Sequence, residues 1–137
     1  MKIIEELAIL LEAFFTDWLM NQKRVSPNTI AAYRDTFRLL LRYVAQHLKT
    51  QPSKLRLSDL NADLVCNFLT DLVKTRKVSA RTRNLRLSAI KSFFHYVSFR
   101  EPGKNAFINR VLSIPESKNI KRQVHFLTVE EDRKSVV

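Results

Sequence analysis

Glycine occurs once in the 137 residues, at Gly103, and proline four times, so little in the chain obliges a helix to break. With no glycine-rich loop there is no phosphate cradle of the Walker or Rossmann kind. Cysteine is single: Cys66 cannot form an intramolecular disulfide, suits a reducing cytoplasm, and reads as a small, partly buried filler on a helix. No apolar run reaches the roughly 18 residues that span a bilayer. The opening, Met1 to Asn21, carries Glu5 and Glu6 where a signal peptide has its cationic region, and its apolar residues alternate with charge. A soluble, cytoplasmic protein is expected. His47, His95 and His125 show no metal-ligand spacing with Cys66 or with acids, and no nucleophile-and-base arrangement is evident. No metal, cofactor or catalytic residue is therefore expected.

Acidic charge is also scarce. Lys and Arg number 24 against 13 Asp and Glu, a formal net charge of +11. That balance favours an anionic partner, nucleic acid or membrane surface. The excess is concentrated. Residues 21–58 hold eight basic residues against Asp35 alone, and residues 76–110 hold nine against Glu101 alone. Residues 1–20 and 59–75 are net acidic. Such unevenness is hard to explain by solubility.

Apolar periodicity predicts four helices and a short fifth. The first covers Ile3 to Met20, with Leu7, Leu11, Phe14 and Trp18 on its buried side and its acids largely opposite. The second starts at Ser26 as N-cap with Pro27 in the first turn and runs to about Leu48, burying Ile30, Tyr33, Phe37, Leu40, Leu41 and Val44. The third, Ala62 to Lys74, is capped by Asn61 and buries Leu64, Val65, Phe68, Leu69 and Leu72. The fourth is capped by Ser79 and runs to about Phe99, with Leu87, Ile90, Phe94 and Val97 inward; Glu101-Pro102-Gly103 stops it, proline lacking the donor and glycine freeing the backbone. The fifth is a turn around Ala106 to Val111.

Both basic segments contain a helix, and their cations fall into ridges. On the second helix Arg34, Arg38 and Arg42 recur at every fourth residue, with small Ala31 on the same side. On the fourth, Arg81, Asn84, Ser88, Lys91 and His95 recur at intervals of three and four, while Arg83 and Arg86 add charge near its start. Arginine and lysine bind phosphates by Coulomb attraction and counterion release; Asn and Ser can bond phosphates or base edges. The capped helix starts at Ser26 and Ser79 also point amides at anions. Two such ridges could grip a DNA duplex from adjacent grooves.

At this point two stretches resemble a known family. Ser26-Pro27-Asn28-Thr29-Ile30-Ala31-Ala32-Tyr33-Arg34 and the run Ser79 to Tyr96 (SARTRNLRLSAIKSFFHY) are similar to the second- and fourth-helix signatures of the N-terminal, core-binding domain of tyrosine recombinases, the phage-type integrases. Leu57-Ser58-Asp59-Leu60 with Val65, Phe68 and Leu69 resembles the entry to the third helix. Asn105-Ala106 stands where the family usually has Asn-Pro, Ile114-Pro115 with Lys118 resembles the basic linker, and Phe126 to Glu131 the opening of the catalytic domain.

The resemblance implies an all-α, SAM-like orthogonal bundle of four helices plus a short fifth, forming one half of a C-shaped clamp on double-stranded DNA. It implies a binding domain over residues 1–112, followed over 113–137 by a basic linker and a truncated start of the catalytic domain. Carried over as DNA-binding are Ser26, Asn28, Thr29 and Arg34 on the second helix, and Ser79, Arg81, Thr82, Asn84, Arg86 and Lys91 on the fourth. The ridges add Arg38, Arg42, Arg83 and Ser88. Lys118, Lys121 and Arg122 would track phosphates from the linker. In the family, cleavage uses a tyrosine nucleophile with arginines, a lysine and a histidine-rich motif in the next domain; here Tyr33, Tyr43 and Tyr96 all fall on helices of the binding domain. No strand cleavage by this chain alone is expected. The expected partners are duplex DNA and other recombinase protomers on it, with a monomer in its absence and the acidic face of the first helix as a protomer contact. The alternatives are a helix-turn-helix regulator, for which no tight two-helix turn is evident, and a helical module that meets an acidic protein.

Overall fold

The structure is a computed structural model that describes the backbone of residues 2–118 and the side chains of residues 7–118 other than Gln22. Five α-helices account for most of it, and no strand occurs among the described residues: α1 (Lys2–Ala13), α2 (Pro27–Leu48), α3 (Ala62–Lys74), α4 (Ala80–Arg100) and α5 (Asn105–Leu112). The all-helical expectation is met, and α2 and α3 begin and end where capping chemistry places them. Ser26, Asn61 and Ser79 each accept a hydrogen bond from the backbone amide three residues on, satisfying one of the orphan donors of a helix start. At Ser26 and Ser79 the hydroxyl also donates to the Thr29 or Thr82 hydroxyl, so both basic helices open with the same Ser-x-x-Thr lock.

A chain with one glycine ends its helices differently from most. Arg24, Lys49 and Lys77 adopt left-handed backbone conformations, with φ of 52°, 58° and 60°. Each is followed by a residue whose amide reaches back beyond the last turn: Thr50 to the Ala45 carbonyl five positions earlier, and Val25 to Leu19 and Val78 to Leu72, each six positions earlier. These are left-handed stops built on cations instead of glycine, the one at Lys49 with the 6→1 bond of a Schellman motif, at a cost of about 1–2 kcal/mol each. Gly103 is not a left-handed stop. It lies in a 3₁₀ turn, Pro102–Lys104, and has no positive φ. Helix α4 ends because Glu101 leaves helical conformation (φ −134°, ψ 70°) ahead of Pro102.

The first helix departs from its expected periodicity. From Phe14 to Gln22 the backbone widens into a π-helix, seen in the bond from the Lys23 amide to the Trp18 carbonyl. With turns closing at i+5, Phe14 and Leu19 share the buried face, together with Leu7, Leu10 and Phe15, while Leu11 and Trp18 are only partly covered. A three-and-four spacing rule finds Leu7, Leu10 and Phe14 but not the step of five from Phe14 to Leu19.

Helix α4 is the hub, packing on α2, α3, α5 and the π-helical segment. It therefore buries more than one stripe: Ala89, Phe93 and Tyr96 join Leu87, Ile90, Phe94 and Val97. Phe93 meets Phe14, Phe37 and Phe94 edge-on, with ring centroids 5.3–5.4 Å apart. Each such ring buries about 1.5–3 kcal/mol of apolar surface, and each edge-to-face pair adds about 0.5–1.5 kcal/mol. On α2, Ile30, Phe37, Leu40 and Val44 are buried as expected, whereas Tyr33 and Leu41 are half-buried. Cys66 is exposed, not a partly buried filler: α3 turns Leu64, Val65, Phe68, Leu69 and Leu72 inward and Cys66 lies off that face.

Candidate nucleic-acid interface

The N-terminal halves of α2 and α4 lie side by side and enclose an open cleft of about 410 Å³. Asn28, Thr29, Ala32, Tyr33 and Thr36 line it from α2; Thr82, Leu85, Arg86 and Ser88 line it from α4. Its floor is mixed in character. Burial raises the Tyr33 pKa above the usual phenol value, so its hydroxyl stays a neutral donor. Leu85, 59% exposed, puts an apolar side chain at the rim.

The two helices are tied together by one cation. Arg86 donates from Nη2 to the Asp35 carboxylate at 3.1 Å, and from Nη1 to the Thr36 hydroxyl at 3.0 Å and the Ala32 carbonyl at 3.4 Å. Its side chain is 21% exposed, and its Nε is buried without a partner. Arg86 is thus directed into the α2–α4 contact. This guanidinium, expected to meet DNA, is engaged by a carboxylate and a hydroxyl within the protein. Asp35, the one acid among residues 21–58, is held by Arg86 and Arg38 together. A lone acid in so cationic a stretch was a signal of this pairing, and sequence reasoning passed over it.

The remaining ridge residues divide by environment. On α2, Arg34, Arg38 and Arg42 are exposed. The Arg34 guanidinium lies 5.5 Å from the centre of the Phe15 ring, a cation–π contact that orients it, while Arg42 has no ion-pair partner among the described residues. Ala31, Arg34, Asp35 and Arg38 border a second, shallow depression on the same helix. On α4, Arg81, Ser88 and His95 are exposed and Lys91 half-buried, but Arg83 and Asn84 turn to the chain that follows α5. Arg83 donates to the Pro115 carbonyl at 3.0 Å, and Asn84 bonds both backbone groups of Ser117. Ser26 and Ser79 use their hydroxyls as caps, so the amides of Asn28, Ala80 and Arg81 remain without helical partners. Lys118 is exposed; Lys121 and Arg122 lie outside the described residues.

Glu12 and Asp17 are exposed, and the side chains of Glu5 and Glu6 lie outside the described residues. Among the described residues no group of three or more His, Cys, Asp or Glu side chains could hold a metal. No described helix is long and apolar enough to cross a membrane.

Comparison with known proteins agrees with this architecture. Residues 12–100 match the family described as phage integrase, N-terminal SAM-like domain. Two proteins of Sinorhizobium fredii (strain NBRC 101917 / NGR234) that carry integrase/recombinase names are similar over 125 residues: y4rC at 47% identity and y4rD at 40%. Each alignment takes in 91% of this chain, against 38% and 44% of the relative. The chain thus spans about two fifths of the length of these relatives. No solved structure matches it. The chain belongs to the phage integrase N-terminal SAM-like domain family.

Proposed function

We propose that the face formed by α2 and α4 binds double-stranded DNA as the N-terminal part of a site-specific integrase/recombinase clamp. The observation that carries this reading is the cleft between the two helices. It is rimmed by hydrogen-bonding side chains, its two helices carry exposed Arg34, Arg38 and Arg42 on α2 and Arg81 on α4, and Asp35 is paired internally. Arg34, Arg38 and Arg42 would hold phosphates along one side, with Arg81 and Lys91 on the other. The open amides at the starts of α2 and α4 would add to this grip. Asn28, Thr29, Thr82 and Ser88, which line the cleft, would bond base edges, and Leu85 would meet a thymine methyl, which would give sequence selectivity. Ser26 and Ser79 shape the helix starts instead of touching DNA through their side chains. Arg83, Asn84 and Arg86 act on the architecture of the face.

In this reading residues 1–112 form the binding unit and residues 113–137 lead toward a catalytic domain, with Lys118, Lys121 and Arg122 adding phosphate contacts. The chain by itself cleaves no DNA: Tyr33 and Tyr43 are half-buried, and Tyr96 is buried with its hydroxyl accepting a bond from Arg100. It works in the cytoplasm, as a monomer until protomers meet on DNA, where the exposed acids Glu12 and Asp17 would face a neighbour. The test is a duplex titration at several salt concentrations with Arg81→Ala beside the parent. Affinity should fall linearly on a log–log plot, with a slope shallower by about one in the variant. Absence of duplex binding even at low salt would overturn the reading and favour an acidic protein as the partner.

A further inference from the structure

The chain beyond α5 does not simply leave the bundle. Ile114 is buried, and the next three residues run along the flank of α4, where two side chains of its second turn take hold of them. The Asn84 carboxamide acts as a backbone mimic. Its Oδ1 accepts from the Ser117 amide at 2.9 Å and its Nδ2 donates to the Ser117 carbonyl at 2.9 Å. Arg83 donates from one nitrogen both to the Pro115 carbonyl at 3.0 Å and to Asn84 Oδ1 at 3.1 Å. The orientation of the amide is fixed by chemistry, since a flipped Asn84 would set its NH₂ against two donors.

This commits Asn84. Reading adenine in the major groove requires an asparagine to offer Oδ1 and Nδ2 together to one base. Here that same pair of atoms is spent on Ser117, and Oδ1 also serves Arg83. Asn84 would have to release the connector to read a base.

Resting on the DNA-binding reading above, we propose that Asn84 and Arg83 form a clasp that fixes the connector to the DNA-facing helix, so that Asn84 is a positioning residue and Lys118 is delivered beside the α4 ridge. The Cα of Lys118 lies one step of about 3.8 Å beyond the pinned Ser117, so its ammonium stays within about 10 Å of that residue. A cation held this close to the Asn84 turn of α4 extends the phosphate-binding surface of that helix with less chain entropy to overcome. Loss of the clasp therefore weakens DNA binding through Lys118, not through a lost base contact.

Amide exchange of the 137-residue protein followed by NMR tests the clasp without DNA. The Ser117 amide should be protected in the parent, and Asn84→Ala should speed its exchange about ten-fold, while the Phe93 and Val97 amides keep their protection. Arg83→Ala should produce a smaller acceleration and serves if Asn84→Ala does not fold. A Ser117 amide that exchanges as fast as an unstructured one in the parent overturns the clasp.

A duplex titration of Asn84→Ala, Lys118→Ala and the double variant tests the coupling. Asn84→Ala should lower affinity about two-fold or more in the parent and have no added effect once Lys118 is alanine. Equal losses in both backgrounds would mean that Asn84 itself touches DNA, which overturns its positioning role. If the parent binds no duplex, the DNA-binding reading falls and the exchange measurement alone decides the clasp.

Discussion

The α2 ridge and the first turns of α4 carry the same kind of charge and use it differently. Along α2, Arg34, Arg38 and Arg42 keep their guanidinium groups at the surface, oriented by Phe15 and Asp35 or left without a partner among the described residues. In α4 only Arg81 of the first three arginines faces outward unengaged; Arg83 holds Pro115 and Arg86 holds Asp35, Thr36 and Ala32. A cation in a basic segment is thus either a contact for an anion or a strut that places the other contacts. Position relative to neighbouring elements decides which.

The sharpest way to break that distinction is Arg86→Ala. Removing a strut leaves Asp35 with Arg38 alone and takes a donor from Thr36 and Ala32, and should cost about 2 kcal/mol in chemical denaturation, since hydrogen bonds to charged groups contribute about 1.5–3 kcal/mol and Asp35 is partly solvated. A change below about 0.5 kcal/mol would place Arg86 among the contacts after all. Arg42→Ala is the complement: its stability should stay within about 0.5 kcal/mol of the parent, while DNA affinity falls a few-fold and the salt slope flattens by about one.

Lys49→Gly separates charge from backbone. It deletes a cation at the end of α2 but relieves a left-handed lysine, so stability should rise by about 1 kcal/mol in thermal unfolding. A loss of stability would mean that the lysine side chain contributes more than the strain. The smallest effect is expected at Tyr33. Its folded pKa is raised by burial, so the folded state holds the phenolic proton more tightly than the unfolded chain. The associated stability is complete below the unfolded value near 10 and is lost as pH rises through the folded one. Comparing unfolding at pH 9 and 11, Tyr33→Phe should lose less stability than the parent; identical losses would remove burial of the phenol as the cause.

Much of this molecule is legible in its amino-acid sequence. Ser26-Pro27, Asn61 and Ser79 mark helix starts because a side-chain oxygen facing an unbonded amide is a local event, complete within three residues. The buried face of α3 and most of that of α2 were legible for a related reason: the 3.6-residue period records the face a helix turns to the core, although Tyr33 and Leu41 are only half-buried. The extent of the α4 core was not, because a hub helix is contacted from several sides and its pattern blurs; Phe93 and Tyr96 are buried by partners that periodicity cannot see. The π-helical stretch from Phe14 was hidden because its buried set follows a different period.

The candidate site divides in the same way. Two cationic helices and the family signatures were carried by the sequence, since charge and motif are properties of residues in order. The pairing of Asp35 with Arg86 spans 51 residues and that of Asn84 with Ser117 spans 33. Only the tertiary structure sets those distances, and electrostatic and hydrogen-bonding energies depend on distance far more than on order along the chain. The sequence by itself determined a basic, helical protein built around two capped helices; the packing of those helices decided which of its cations are left to meet an anion.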